Sequence, residues 1–178
     1  MKQQQNLLIQ KAMYFGTFMG IYWILKFTLL PLGFNSAWLH FLFLGLTIYV
    51  PFLSYKLTRN YRDQFCGGSI EFSHAWLFSC CMFIFASLLT AVAHYIYFQF
   101  LDHGFIIGKI EETMRLFKDT LPADQKESLQ DLDTSIALVK SLTPIELTIQ
   151  FMGNNLFYGS LFSLIVAMIV KKKKQIKI

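Results

Sequence analysis

Apolar residues run almost without a break through four stretches of the chain, and between the third and fourth the pattern thins to one apolar residue in every three or four. The first stretch, about 12–31, is interrupted only by Lys26 and reaches the roughly 20 residues that a bilayer core of about 30 Å demands of a helix. A cleaved signal peptide is the competing reading. Its apolar region would be shorter and would end in a small-x-small site, which does not occur before Pro31. A retained helix is therefore expected. Pro31, Gly33, Asn35 and Ser36 predict a short uncharged turn, and a second helix over about 38–55 stops at Lys56, Arg59 and Arg62. Pro51 removes the donor for the carbonyl of Thr47, which predicts a kink, as a hinge or as a static bend. Gly67 and Gly68 break the next loop. Ser69 or Ser73 can then cap the third helix, about 73–100, which carries Trp76 near one end and Tyr95 and Tyr97 near the other, where amphipathic rings prefer the headgroup level.

Over about 104–142 the pattern becomes amphipathic. Ile107, Ile110, Met114, Phe117 and Leu121 share one helical face, and Leu129, Leu132, Ile136, Val139 and Leu142 share another. Pro122 separates the two sets, and Asp124 with Glu127 charges the first turn of the second. Two amphipathic helices with acidic outer faces, folded as a hairpin, are expected. The fourth long helix, about 144–170, has the clearest start in the chain. Thr143 and Glu146 have capping-box spacing and Pro144 stands at the first helical position; the helix is expected to end before Lys171, Lys172, Lys173 and Lys174. The fold class predicted is an all-α membrane protein: one membrane domain over 1–178, with four transmembrane helices and an extracytoplasmic helical hairpin between helices 3 and 4.

Composition agrees, since 54% hydrophobic and 17% aromatic residues exceed the apolar share of an ordinary soluble domain. The net charge of +5 would invite a nucleic-acid reading until its distribution is considered. Residues 1–11, 56–72 and 171–178 carry ten Lys or Arg against two acids, whereas 101–146 carries five against nine. Such a partition follows the positive-inside rule, and no nucleic-acid partner is expected. Both termini are expected in the cytoplasm and the hairpin outside. Cys66 falls in a predicted cytoplasmic loop and Cys80 and Cys81 are helix neighbours pointing about 100° apart, so neither a disulfide nor a structural metal is expected.

Three groups of residues are candidates for more than a generic span. Gly16 and Gly20 on helix 1, and Gly159, Ser163 and Ala167 on helix 4, repeat small residues every four positions. Such faces let helix backbones approach closely, within this bundle or against a second copy. Lys26 lies about 7 Å before the end of helix 1 at 1.5 Å per residue, where its stem can snorkel to the headgroups. At the same predicted depth stand Glu146, Gln150 and Asn154 on helix 4, His94 on helix 3 and His40 opening helix 2. These six form a candidate outer polar cluster, in which Lys26 would pair with Glu146 and bind a headgroup or a partner; the bland alternative is interhelical glue. His40, His94 and His103 raise haem or metal ligation, but they form no ligand pair at a familiar spacing, and no cofactor is expected.

Several runs in this sequence are similar to the multi-pass bacterial membrane proteins grouped as domain of unknown function 4199. The likeness covers nearly the whole chain. It is carried by Gly16 and Gly20, by Tyr61-Arg62 followed by Gly67-Gly68, and by Ser69-Ile70-Glu71-Phe72-Ser73-His74-Ala75-Trp76. It continues through Ala86-Ser87-Leu88-Leu89-Thr90-Ala91, Tyr95-Ile96-Tyr97-Phe98 and Leu101-Asp102, and ends in 160–170 before the lysines. The chain departs from that pattern at His74 and at Cys80-Cys81. The resemblance implies a bacterial inner-membrane location and carries over no catalytic residue.

The function expected from these readings is that of a non-catalytic accessory or scaffold protein, not an enzyme. Its partners would be the lipid bilayer, another membrane protein met through the hairpin, or further copies of itself. A small transporter or channel built from oligomers is the alternative suggested by the outer polar cluster and the Pro51 kink, although the polar groups crowd one leaflet. A membrane-embedded enzyme or redox protein is the third.

Overall fold

The computed structural model describes residues 2–120 and 130–172, with side chains over 5–117 and 134–172. Pro122, Asp124 and Glu127 of the expected hairpin turn lie outside the described residues, as do Leu121, Leu129, Lys173 and Lys174. Six helices occupy what is described: α1 (Lys2–Gly33), α2 (Ala37–Phe65), α3 (Phe72–Phe100), α4 (Phe105–Thr120), α5 (Gln130–Ser141) and α6 (Pro144–Val170). The four long ones, α1, α2, α3 and α6, are long and apolar enough to cross a membrane. Beside the helices there is a single antiparallel bridge, Ile70 with Lys172, among the described residues.

Helix ends differ from the apolar runs in three places: α1 begins at Lys2, ten residues before its apolar run, and two further ends depart from expectation. Pro31 lies inside α1 rather than in the turn. Pro31 has no N–H to reach the carbonyl four residues back, and α1 ends two residues later at Gly33. The turn itself is Phe34 to Ser36, held by Asn35 N–H on the carbonyl of Leu32 and Ser36 N–H on that of Gly33, both 3.2 Å. At the far end of α2, Lys56, Arg59 and Arg62 end the apolar run without ending the helix. Ser54, Leu57, Thr58 and Tyr61 keep one face buried through this stretch, and Arg59 pairs with Asp63 one turn on at 3.6 Å. Neither Ser69 nor Ser73 caps α3. Glu71 precedes its first residue, and the Glu71 carbonyl accepts Ala75 N–H at 3.0 Å.

The chain forms two compact units, Met1–Ala91 with Met152–Ile178, and Val92–Phe151. In the first, Ala12, Phe15, Met19 and Trp23 of α1 present one buried face at helical spacing, and Phe78, Met82, Phe83 and Ala86 of α3 present another. Close approach comes from the small residues. A Cβ on Gly16 would lie 2.8 Å from the Met82 carbonyl oxygen, and one on Gly20 would lie 2.9 Å from Leu89. One on Gly159 of α6 would lie 2.8 Å from the ring of Phe83, and Ser163, fully buried, turns its hydroxyl back to the Gly159 carbonyl at 2.8 Å. Trp23 stacks on Phe83 at 5.7 Å. By contrast the first half of α2 is exposed, with Trp38 75% and Ile48 69% accessible, a surface suited to lipid.

In the second unit the buried carboxylate of Asp102 accepts the backbone N–H of Gly104 and of Ile106, both at 3.1 Å, and so closes the start of α4. The turn needs left-handed backbone at His103 and Gly104, φ 46° and 81°. Lys140 of α5 pairs with Glu111 of α4. The capping box at α6 forms: Glu146 accepts Thr143 N–H at 2.7 Å, and Glu146 N–H reaches the Thr143 hydroxyl at 3.4 Å.

Candidate functional site

A set of long-range polar contacts lies at the basic end of the first unit, where α2 closes, α3 begins and α6 finishes. Three residues join these ends. Arg62 donates from Nε to Asp63 at 2.7 Å and from Nη1 to the carbonyl of Val170 at 3.0 Å, so one guanidinium ties the close of α2 to the last residue of α6. Ile70 and Lys172 exchange both backbone N–H···O bonds at 2.9 Å, which pins the loop before α3 beside the residues after α6. The loop can reach that position because Gly67 and Gly68 are left-handed, φ 62° and 77°, while the Arg62 carbonyl accepts the N–H of both Cys66 and Gly68 at 3.1 Å.

Beneath this junction Tyr61, only 1% accessible, stacks on Phe78 with ring centroids 3.8 Å apart and planes 2° from parallel. Its hydroxyl lies 2.9 Å from Nε2 of His74. Burial pushes the Cys66 thiol above its ordinary value, against a hydrogen bond with Tyr61 that lowers it. Lys11 places its ammonium 4.2 Å over the ring of Phe65. Together these elements enclose a cleft of about 920 Å³, with Tyr61, His74, Ser69, Lys171 and Lys172 as its polar lining, Glu71 as its one acid, and Phe65, Ile70 and Phe72 among its apolar walls.

Residues 14–172 match the family described as protein of unknown function (DUF4199). The chain belongs to the DUF4199 family. No curated protein and no solved structure matches it. In this DUF4199 protein the whole basic-end junction, from Tyr61 to Trp76 and on to Lys172, lies within the matched residues.

The residues of the outer polar cluster occupy several settings. Lys26 of α1 is partly buried, with its ammonium 5.4 Å from the centroid of Phe43, and His40 of α2 is exposed with its ring 6.4 Å from the same Phe43. Those two share a neighbour. His94 is buried and meets Phe151 edge-on at 5.3 Å. The Glu146 carboxylate is held by the amide and hydroxyl of Thr143, and Gln150 and Asn154 are exposed on α6. The packing residues Gly16, Gly20, Gly159 and Ser163 all turn inward within the first unit. Among the described residues no group of three or more His, Cys, Asp or Glu side chains gathers as a metal ion would require, and Cys66, Cys80 and Cys81 are free.

Sequence reasoning passed over the Tyr61–His74 pair and the cleft. The partners in the junction are 13 positions apart for Tyr61 with His74 and 108 for Arg62 with Val170, so no spacing rule joins them. The available signal was the Gly67-Gly68 break beside basic residues, with His74 a few positions on.

Proposed function

We propose that this DUF4199 protein is a non-catalytic accessory or scaffold protein of the bacterial inner membrane, with both termini cytoplasmic and α4 and α5 on the far side. The carrying observation is the apolar surface of those two helices. Leu116 on α4 is 59% accessible and Leu138 on α5 is 63% accessible, on helices of 16 and 12 residues that are too short to span a bilayer. An apolar face on a water-side hairpin fits a protein partner, another membrane protein or a further copy of this chain. Orientation rests on the basic residues in the first turns of α1, around the close of α2 and after α6, against the acidic excess of 101–146.

Photo-crosslinking in living cells from a benzophenone amino acid at Leu116 or Leu138, followed by mass spectrometry of the adducts, tests the reading. One abundant foreign protein joined at both positions is the expected result. Adducts confined to the chain itself would replace the scaffold by an oligomer and make transport the next assay, while no adduct at either position would remove the hairpin as a contact surface.

A further inference from the structure

The cleft at the basic end has the composition of a site for an amphiphilic anion, and it is separate from the hairpin on which the scaffold reading rests. Lys171 and Lys172 line it as flexible cations and Ser69 adds a hydroxyl, while the buried Tyr61 hydroxyl is already engaged with His74. The first turn of α3 opens onto it at Phe72 and His74, bringing the positive end of a 29-residue helix to the same space. Its volume of about 920 Å³ lies at the upper end of the range typical of small-ligand sites. Phe65, Ile70 and Phe72 supply an apolar wall, so one side suits hydrocarbon and the other suits charge. Glu71 is exposed and opposes an anion, which leaves two formal positive charges against one negative among the described lining side chains. The backbone frame does not depend on the lysine side chains, because Lys172 is fixed through its main-chain bonds with Ile70.

We propose that this cleft binds a phosphate mono- or diester anion, with the phosphate held by Lys171, Lys172 and Ser69 at the start of α3. A phospholipid headgroup and a soluble phosphate ester share that chemistry; the apolar wall favours the lipid. Phosphate accepts several charge-assisted hydrogen bonds at once, which a zwitterionic headgroup partly satisfies internally and presents less strongly.

The full chain, purified in detergent doped with equal amounts of phosphatidylglycerol and phosphatidylcholine, is analysed by native mass spectrometry. Phosphatidylglycerol adducts are expected to dominate. The double variant Lys171→Gln/Lys172→Gln should lose about tenfold of that preference, as two charge-assisted contacts disappear. Lys56→Gln/Arg59→Gln removes the same charge from exposed positions of α2 outside the cleft and should leave the preference intact. Glu71→Gln should raise it about two- to threefold by removing the opposing charge. In parallel, thermal unfolding is followed with inorganic phosphate against sulfate at equal ionic strength. Stabilisation by phosphate that is lost in Lys171→Gln/Lys172→Gln, without a lipid preference, supports the site and assigns it to a soluble phosphate. Equal retention of both lipids with no phosphate effect overturns the proposal. So does an equal loss in the two double variants, which would reduce the effect to general charge attraction.

Discussion

At the scale of single residues, space decides which glycines matter. Gly16 faces the Met82 carbonyl so closely that any Cβ must move backbone, whereas a Cβ on Gly45 of α2 would meet nothing within 4 Å. Gly16→Ala is expected to destabilise the folded protein by about 1–3 kcal/mol. Gly45→Ala, which only restores helix propensity, should be neutral or stabilising by up to about 1 kcal/mol. Thermal unfolding of both variants in the same detergent measures the contrast; equal midpoints would mean that α1 and α3 do not approach through Gly16. Cys66 carries a second expectation. Because burial raises its pKa, less thiolate is present at neutral pH than at an ordinary cysteine. In a variant with Ser at positions 80 and 81, iodoacetamide should alkylate Cys66 more slowly at pH 7 than it does a free cysteine, and the rate should level off at a higher pH. A rate that levels off below pH 8 would place the thiol in a setting other than this one. Gly16 was legible as part of a small-residue face, but the carbonyl it meets belongs to another helix and no local pattern names it.

At the scale of elements, the start of α6 is the feature the chain spells most completely. Thr143, Pro144 and Glu146 are local in sequence, and the box they form satisfies amides that four neighbouring residues can reach by themselves. Thr143→Ala should cost about 1 kcal/mol. Glu146→Gln should cost less, since an amide oxygen still accepts from Thr143 N–H; chemical unfolding of the two variants ranks them, and a larger loss for Glu146→Gln would assign the carboxylate a role beyond the cap. The helix ends that departed from expectation show the limit of local reading. Lys56, Arg59 and Arg62 interrupt the apolar run, yet α2 continues because Leu57, Thr58 and Tyr61 still bury one face. Thr58 and Ser79 share a buried hydrogen bond at 3.0 Å, which requires α3 to be beside α2 before either polar group makes sense in an apolar interior. Pro31 similarly reads as a breaker in isolation and is accommodated at the end of α1.

At the scale of the whole molecule, charge partition is the quantity that orders the chain across a membrane. With the native cysteines replaced by serine, a cysteine at Ser69 is expected to react with a membrane-impermeant maleimide only after lysis, and one at Leu138 to react in intact spheroplasts. Reaction of both in intact spheroplasts, or the reverse order, would overturn the orientation drawn from the basic segments. Arg62 offers a matching test of how the first unit is held. Its bond to the Val170 carbonyl links positions 108 apart, and Arg62→Ala should lower stability by about 1.5–3 kcal/mol, the range for a hydrogen bond from a charged donor. A Lys in its place keeps the charge but not the two-pronged geometry, and should recover only part of the loss.

By itself the sequence determined the features that depend on neighbours along the chain: four apolar helices long enough to span, the amphipathic stretch between the third and fourth, the capping box at Thr143, and the segregation of basic from acidic segments. Each follows from periodicity or local charge, which act over a few turns. Tertiary structure alone decided that Gly16 and Gly20 meet α3, that Gly159 meets Phe83, and that Tyr61, His74 and Lys172 surround one cleft. In apolar helices nearly every face can be buried, so hydrophobicity does not choose between partners; steric fit between small residues and rings makes that choice.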